Sequence, residues 1–227
     1  IEDTVLDYAE VKALAVGNPL VKKRVEAANE LTRYLTLQRK LVDSRIRMEK
    51  ELLELPGKVE HQRSLIAKCE EDFLCYRSWK KENPPATETY LKKEEAERRK
   101  VVREYITSAV RDYALETREK TLMNYRGFDV VLPANMILEK PYVWLSRQGK
   151  YYVELGDTEI GNLMRIDNYL DTLDNHLEKL RIGLSKLAEK EIELKTELAK
   201  DDNYSEQIEK YSAEVEKLDK KLGVNKK

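Results

Sequence analysis

Residues 163–198 read LMRIDNYLDTLDNHLEKLRIGLSKLAEKEIELKTEL. Apolar residues recur in this segment at alternating steps of four and three, and the one polar residue in the series is Glu191. The apolar members are Ile166, Leu170, Leu173, Leu177, Leu180, Leu184, Leu187, Leu194 and Leu198. A repeat of about 3.5 residues is typical of a helix that packs along a left-handed supercoil. Because burying each Leu or Ile stabilises by roughly 1.5 to 3 kcal/mol, the pattern predicts a partner helix elsewhere in the chain.

The best partner in the sequence is the segment from Pro19 to Leu55. Its heptad-like apolar trace is broken by Gln38 and Glu49, and it consists of Val21, Val25, Ala28, Leu31, Leu35, Val42, Ile46 and Leu53. At about 1.5 Å per residue both segments span roughly 50 Å. The sequence therefore predicts a mainly α fold built on a long antiparallel coiled-coil helical hairpin.

Helix-breaking residues set the limits of the first arm of this hairpin. Gly17, Asn18 and Pro19 predict a corner after a short N-terminal helix, with Asn18 as the N-cap of the next helix. Pro56 and Gly57 predict that the helix either breaks or kinks there, and helix is predicted to resume from Val59 as far as 83.

The middle of the chain changes its period. A charged helix is predicted from Thr87 to about Tyr113 or Leu115. Alternation of period two then predicts strands at 128–132, 142–146 and 151–155. This part reads as a small α+β insertion with a short antiparallel sheet. Pairing Ser146 with Tyr151 would place four side chains on one face of the sheet, namely Tyr142, Trp144, Tyr151 and Val153.

The second arm begins after Asp157, the predicted N-cap, and a register break follows Leu198. Residues 201–203 can cap a new helix, so we expect the last helix to fold back. The predicted organisation has five parts: an N-terminal helix at 1–17, a first arm at 18–83, the insertion at 84–157, a second arm at 158–200 and a C-terminal helix at 201–227.

Composition narrows the classes of function. The chain has 227 residues with 42 Lys and Arg against 43 Asp and Glu, so its net charge of −1 gives no general attraction to nucleic acid or membrane. Cys69 and Cys75 would point apart on a helix, which predicts free thiols and a cytoplasmic location. We expect no membrane contact, since no apolar run approaches about 20 residues. The chain begins with Ile, and we expect it to be a piece of a larger protein.

Three segments carry a family resemblance. They are YAEVKALAVGNPLVK at 8–22, YYVELG at 151–156 with the Glu159 to Asn168 segment after it, and the closing pattern of Tyr204, Glu206, Ile208, Val215, Leu218 and Leu222. They resemble the region that follows the helicase motor in the large Snf-type helicase and DNA methyltransferase fusion proteins. Those proteins belong to conjugative transposons and phages of Gram-positive bacteria. The resemblance implies an accessory module, while the motor and methyltransferase motifs of the family are absent from this sequence.

No residue pattern predicts catalysis, a cofactor or a metal. No Gly-rich phosphate loop follows a strand, and Gly156 and Gly161 indicate a turn and a helix start. His61 and His176 have no Cys or His at helical ligand spacing, so we expect no zinc site. We therefore expect no enzymatic activity in this chain.

The hairpin around residues 147–150 is the main candidate for nucleic-acid contact. Aromatic residues flank Arg147 and Lys150 there, and aromatic faces next to cations can stack bases and meet phosphate. The alternative is that the aromatic residues pack the sheet onto the preceding helix, and the alternating pattern favours this alternative. Arg98, Arg99 and Arg103 form a second basic group, diluted by neighbouring Glu residues, which indicates a salt-bridged helix face.

These observations give two hypotheses. The first is a non-catalytic accessory module of a mobile-element DNA helicase or methyltransferase protein, which engages DNA or regulates the motor. Its partners would be DNA, through Arg147, Lys150, Arg98, Arg99 and Arg103, and the motor and methyltransferase domains of the same parent chain. The second is a protein-interaction or dimerisation scaffold without nucleic-acid contact, for example a homodimer through the coiled coil.

Overall fold

The computed structural model describes residues 17–113, 116–136 and 140–223. The described chain is mainly helical and contains one small antiparallel sheet, as predicted; this sheet has four strands. Its helices are α1 (Pro19–Glu82), α2 (Thr89–Tyr113), α3 (Glu159–Asp171), α4 (Leu173–Leu198) and α5 (Ser205–Leu222). Its strands are β1 (Lys120–Tyr125), β2 (Phe128–Leu132), β3 (Tyr142–Ser146) and β4 (Lys150–Glu154). The predicted N-terminal helix before Gly17 lies outside the described residues.

The chain divides into two compact units. The sheet unit comprises residues 56–189, and the helical unit comprises residues 17–55 and 190–223 of the described chain. Helices α1 and α4 contribute residues to both units.

Helix α1 begins where the sequence predicts and continues past the predicted kink. The Asn18 side chain accepts a hydrogen bond from the Leu20 amide at 3.0 Å, which confirms the N-cap. The helix runs without interruption through Pro56 and Gly57 to Glu82, so the first of the two predicted alternatives, a break between 56 and 59, is wrong. Proline removes one helical hydrogen bond, and the packing of Leu55, which is 2% exposed, helps to hold the helix together there.

The sheet unit contains one continuous core. The strands follow the order β1-β2-β3-β4, and buried side chains from all four strands join residues of α1 to α4 in a single cluster. Strand β1 was not predicted from the sequence. It pairs with β2 through a two-residue turn in which Arg126 (φ 53) and Gly127 (φ 87) both have positive φ, as a type I′ turn requires.

The pairing of β3 with β4 differs from the prediction by one residue. Ser146 lies opposite Lys150, not Tyr151, because the connecting loop has three residues. A slip of one residue exchanges the faces of a strand. The buried face therefore carries Val143, Leu145, Tyr151 and Val153, while Tyr142, Trp144 and Tyr152 lie on the opposite face.

The second arm consists of two helices. Helix α3 ends at Asp171 and α4 begins at Leu173. The N-cap of α3 is Thr158 and not the predicted Asp157, since the Thr158 hydroxyl accepts from the Gly161 amide at 3.1 Å. All the apolar residues of the predicted 166–198 series are buried or half-buried.

In the helical unit, α5 runs antiparallel to α1. Arg24 contacts Asp219 at 2.9 Å, the ring of Tyr34 stacks on that of Tyr211 with centroids 5.6 Å apart, and the Gln38 side chain accepts from the Tyr204 amide at 2.9 Å. A break does occur at 201–203, as predicted. The contacts of residues 24–45 with 200–219 show that the last helix folds back along the first part of α1, as expected.

The covered face of α1 in the helical unit agrees with the predicted trace only in part, since Val21, Val25, Ala28 and Leu31 are half-buried. The residues at 27, 31, 34, 38, 41, 45, 48, 52 and 55 are buried or half-buried, again at steps of four and three. Four residues of the predicted trace are exposed: Leu35, Val42, Ile46 and Leu53. The covered face includes Gln38 and Arg45, so hydrophobicity alone does not mark it.

Candidate nucleic-acid interface

The tip of the β3–β4 hairpin is fixed to α1 by a buried carboxylate. Asp72 is fully buried and accepts hydrogen bonds from the amides of Gln148 at 3.0 Å and Gly149 at 2.8 Å. It also accepts from the Tyr151 hydroxyl at 2.7 Å and lies 3.3 Å from the Arg147 guanidinium. Burial, together with the bond to Asp72, raises the pKa of Tyr151. Arg147 therefore holds the hairpin in place and does not project away from it.

Close packing at this tip requires a glycine. A Cβ at Gly149 would lie 2.6 Å from the Tyr151 hydroxyl oxygen. Tyr151 is itself held by Asp72, so its ring has little freedom to move away. The tip is thus a rigid structural contact between the hairpin and α1.

Lys150 has a different environment from Arg147. It forms an ion pair with Glu119, and its ammonium lies 5.1 Å from the centre of the Trp144 ring. Both charged side chains are about half exposed. Lys150 therefore stays at the surface beside the Trp144 ring, with which its ammonium makes a favourable cation–π contact.

Three aromatic side chains form a cluster on the outer face of the sheet, which we call the aromatic face: Tyr142, Trp144 and Tyr152. The ring centroids of Tyr142 and Tyr152 are 4.7 Å apart, and Trp144 lies 5.5 Å from Tyr142 and 5.8 Å from Tyr152. Tyr152 is 46% exposed, and the other two are half-buried. The sequence analysis identified these aromatic residues, but its register placed Tyr142 and Trp144 on the wrong face.

The three arginines of the second predicted basic group, Arg98, Arg99 and Arg103, have different surroundings. Arg98 pairs with Glu94 on the exposed side of α2 at 3.3 Å. Arg99 contacts Asp167 of α3 at 2.6 Å; burial alone would lower its pKa, but the bond to Asp167 outweighs burial and raises it. The Nε atom of Arg103 is buried without a hydrogen-bond partner in the described chain.

Asp167 is the centre of a network that the sequence did not reveal. Besides Arg99, it accepts from the buried Tyr125 hydroxyl at 2.7 Å and lies 3.0 Å from the Arg126 guanidinium. Burial, followed by the contact with Asp167, raises the pKa of Tyr125. Arg126 also lies over the ring of Trp79 at 4.9 Å.

The network continues to a second carboxylate at the end of α3. Asp171 accepts from the Tyr76 hydroxyl at 2.7 Å and from Lys80 at 2.6 Å. Burial opposes ionisation of Asp171, but the bonds from Lys80 and Tyr76 outweigh it and lower its pKa. Burial and the bond to Asp171 raise the pKa of Tyr76 to about 12.

An open pocket of about 300 Å³ adjoins this network. Arg98, Arg99 and Arg126 line it together with Trp79 and Tyr125. Two of the five predicted site residues thus lie in one pocket. They are separate from Arg147, which is bound to Asp72, and from Lys150, which lies at the aromatic face.

Other kinds of site find no support in the described part of the chain. No group of three His, Cys, Asp or Glu side chains within it is placed to hold a metal ion. Among its helices, none is both long and apolar enough to cross a membrane.

In comparisons with known proteins, the chain matched no family model, no curated protein and no solved structure.

Proposed function

We propose that this chain is a non-catalytic accessory module of a mobile-element DNA helicase or methyltransferase protein, and that it engages single-stranded DNA through the aromatic face. The observation that carries the proposal is the cluster of Tyr142, Trp144 and Tyr152 at the surface of the sheet, with Lys150 beside it. Aromatic rings bind bases of any sequence by stacking, and a neighbouring lysine can meet the phosphate between them.

The proposal includes the architecture and cellular setting expected from the sequence. The module would be a coiled-coil hairpin that carries the sheet, in the cytoplasm, next to the motor and methyltransferase domains of its parent chain. The resemblance of 8–22 and 151–168 to the region after such motors supports this setting. Through those contacts the module would also regulate the motor.

The charge pattern indicates which kind of binding to expect. Arg147, Arg99 and Arg98 are each engaged by a carboxylate, and the net charge is −1. Few phosphate contacts are left, so base stacking should dominate. We expect a shallow dependence of affinity on salt, with a slope of about −0.7 per phosphate contact on a single strand.

The test is binding of a fluorescently labelled single strand of about 20 nucleotides, followed by anisotropy at several salt concentrations. The double variant Trp144→Ala, Tyr152→Ala should lose roughly tenfold or more in affinity, because each stacked base contributes about 1 to 3 kcal/mol. Tyr90→Ala is the matched control, since Tyr90 is 60% exposed on α2, away from the sheet.

The proposal fails if the parent chain does not bind the single strand, or if the double variant binds as well as Tyr90→Ala. Replacing Arg147 and Lys150 together by Glu would be a poor test. A glutamate at 147 would lie against the buried Asp72 and disturb folding.

The alternative is a protein-interaction scaffold without DNA contact. Its support is the set of large apolar residues left exposed on α1, of which Leu53 is 81% exposed. Under this alternative the aromatic face serves only to pack β3 against β4.

A further inference from the structure

A second apolar stripe runs along α1 in the helical unit. It consists of Leu35, Val42, Ile46 and Leu53, which are 49%, 44%, 58% and 81% exposed. With Arg39 and Glu49 between them, these residues recur at steps of four and three. At about 100° per residue, the four apolar side chains lie within about 20° of one line along the helix.

This stripe is distinct from the face of α1 that contacts α5. The contact face centres on residues such as Tyr34 and Gln38, which meet Tyr211 and Tyr204. The stripe lies about 100° around the helix from that face. Its side chains are exposed although their spacing is that of a packed helix seam.

The order of residues in the stripe is self-complementary. When two copies of the stripe are placed antiparallel and centred at the level of Ser44, Leu35 faces Leu53 and Val42 faces Ile46. Arg39 then faces Glu49 of the second copy. Each of these pairings occurs twice, as a two-fold axis requires.

The two charged residues of the stripe favour this arrangement over a parallel one. Arg39 and Glu49 are exposed, and their side chains make no ion pair within the described chain. In a parallel pair, Arg39 would face Arg39 and Glu49 would face Glu49, which repel. In the antiparallel pair, Arg39 of each copy faces Glu49 of the other copy, and these opposite charges attract.

We propose that this stripe is a homodimer interface in which two copies of α1 pack antiparallel about a two-fold axis near Ser44. The proposal does not depend on DNA binding by the aromatic face. Because the interface is a single helix face of about 27 Å, it is at the small end of specific interfaces. We expect reversible dimers with a dissociation constant on the order of micromolar.

Asp43 and Arg45 flank the stripe on opposite sides, and in this register each lies near the same residue of the second copy; the Arg45 side chain is held by the Lys200 carbonyl. Asp43 flanks the stripe and would approach Asp43 of the second copy near the axis. Replacing it by Asn removes a like-charge contact without changing size. Asp43→Asn should therefore tighten the dimer by a few-fold.

The experiment is sedimentation equilibrium of the full chain over a wide concentration range. The parent chain should fit a monomer–dimer equilibrium, and Ile46→Glu should leave only monomer. Ile192→Glu is the matched control, because Ile192 is 66% exposed on α4 and lies outside the stripe. It should dimerise like the parent. Helix content by circular dichroism should be equal in all three proteins.

Charge reversal then tests the antiparallel register. Arg39→Glu and Glu49→Arg should each weaken the dimer about tenfold or more, and the double reversal should restore it to within a few-fold of the parent. A parent that stays monomeric, or a dimer that withstands Ile46→Glu, overturns the proposal. A dimer that the double reversal does not restore overturns the antiparallel register. DNA binding is measured separately, so its failure leaves this result unaffected.

Discussion

The two units of the molecule are built in different ways. The sheet unit closes around one cluster of nineteen buried residues, and it also buries the carboxylates of Asp72 and Asp167 with their partners. In the helical unit only four apolar residues of the described chain are buried, namely Ala27, Leu55, Leu194 and Leu218. Its polar contacts, such as that of Arg45 with the Lys200 carbonyl, lie near the surface.

This difference predicts which substitutions should lower the stability of the chain most. A buried carboxylate with several donors cannot lose its partners without leaving polar groups unsatisfied, whereas a surface contact can be replaced by water. The sheet unit should therefore respond sharply to single changes, and the helical unit should tolerate them. Both tryptophans, Trp79 and Trp144, are in the sheet unit, so their fluorescence reports on that unit.

The largest effect is expected at Asp72. Asp72→Ala leaves two amides and the Tyr151 hydroxyl without an acceptor, and it leaves Arg147 without its counter-charge. We expect a loss of about 3 to 5 kcal/mol in the free energy of unfolding, measured by urea titration with tryptophan fluorescence. Glu71→Ala is the control, since Glu71 is exposed and its hydrogen bond within the described residues is to the Gln148 side chain. Equal losses in the two variants would contradict the role given to Asp72.

The next effect concerns the apolar seam within the sheet unit. Leu177 is 5% exposed, and Leu177→Ala should cost roughly 2 to 5 kcal/mol through lost burial and a cavity. Ile182→Ala on the same helix is 47% exposed and should cost much less. Should both variants unfold at the same urea concentration, the seam would not be part of the core.

The third expected effect is a loss of stability of the sheet unit in alkali. The pKa of Tyr76 is raised to about 12 in the folded chain, against about 10 in an unfolded chain. The folded state thus holds the proton more tightly, and its advantage is complete below pH 10 and lost as the pH rises towards 12. The full loss would be about 2 to 3 kcal/mol. Urea titrations at pH 9, 10 and 11 measure the first half of this loss, which should reach about 1 kcal/mol by pH 11.

Tyr76→Phe provides the control for this prediction. It removes the titrating hydroxyl and also the bond to Asp171, so the variant should be less stable at pH 9. Its further decline between pH 9 and 11 should be smaller than that of the parent chain. A parallel decline would assign the alkaline loss to other groups, such as Tyr125 or Tyr151.

The sequence predicted the seam of 163–198 well, for a simple physical reason. Each seam position there carries Leu or Ile except Glu191, so the covered face is also the most apolar one. Helix α1 has two candidate faces in its first part. The covered face includes Gln38 and Arg45, while the more apolar stripe with Leu35 and Ile46 is exposed, so from Leu35 onward the pattern pointed to the wrong face.

The sheet and the site show two further reasons why sequence patterns fall short. Strands β3 and β4 carry apolar or aromatic residues on both faces, so only the loop length could decide the register, and it was misjudged by one residue. Asp72 and Asp167 are carboxylates on charged helices, where most carboxylates are solvated. Their burial depends on contacts with Tyr151 and Tyr125, which are distant in sequence and which no local pattern shows.

The smallest effect is expected at the start of α1 in the helical unit. Asn18 accepts one hydrogen bond from the Leu20 amide, so Asn18→Ala should cost about 1 kcal/mol at most. Because few buried residues tie this end of α1 to a core, the loss should appear as fraying of the first turn. We expect faster hydrogen exchange near Leu20 and an unchanged urea transition by tryptophan fluorescence.

Thr158→Ala removes the corresponding cap of α3 inside the sheet unit, next to the buried Leu163. There the same loss should shift the fluorescence transition itself, because the cap cannot fray independently of the core. If the two cap variants behaved alike, the contrast between a loosely tied helical unit and a tightly packed sheet unit would not hold.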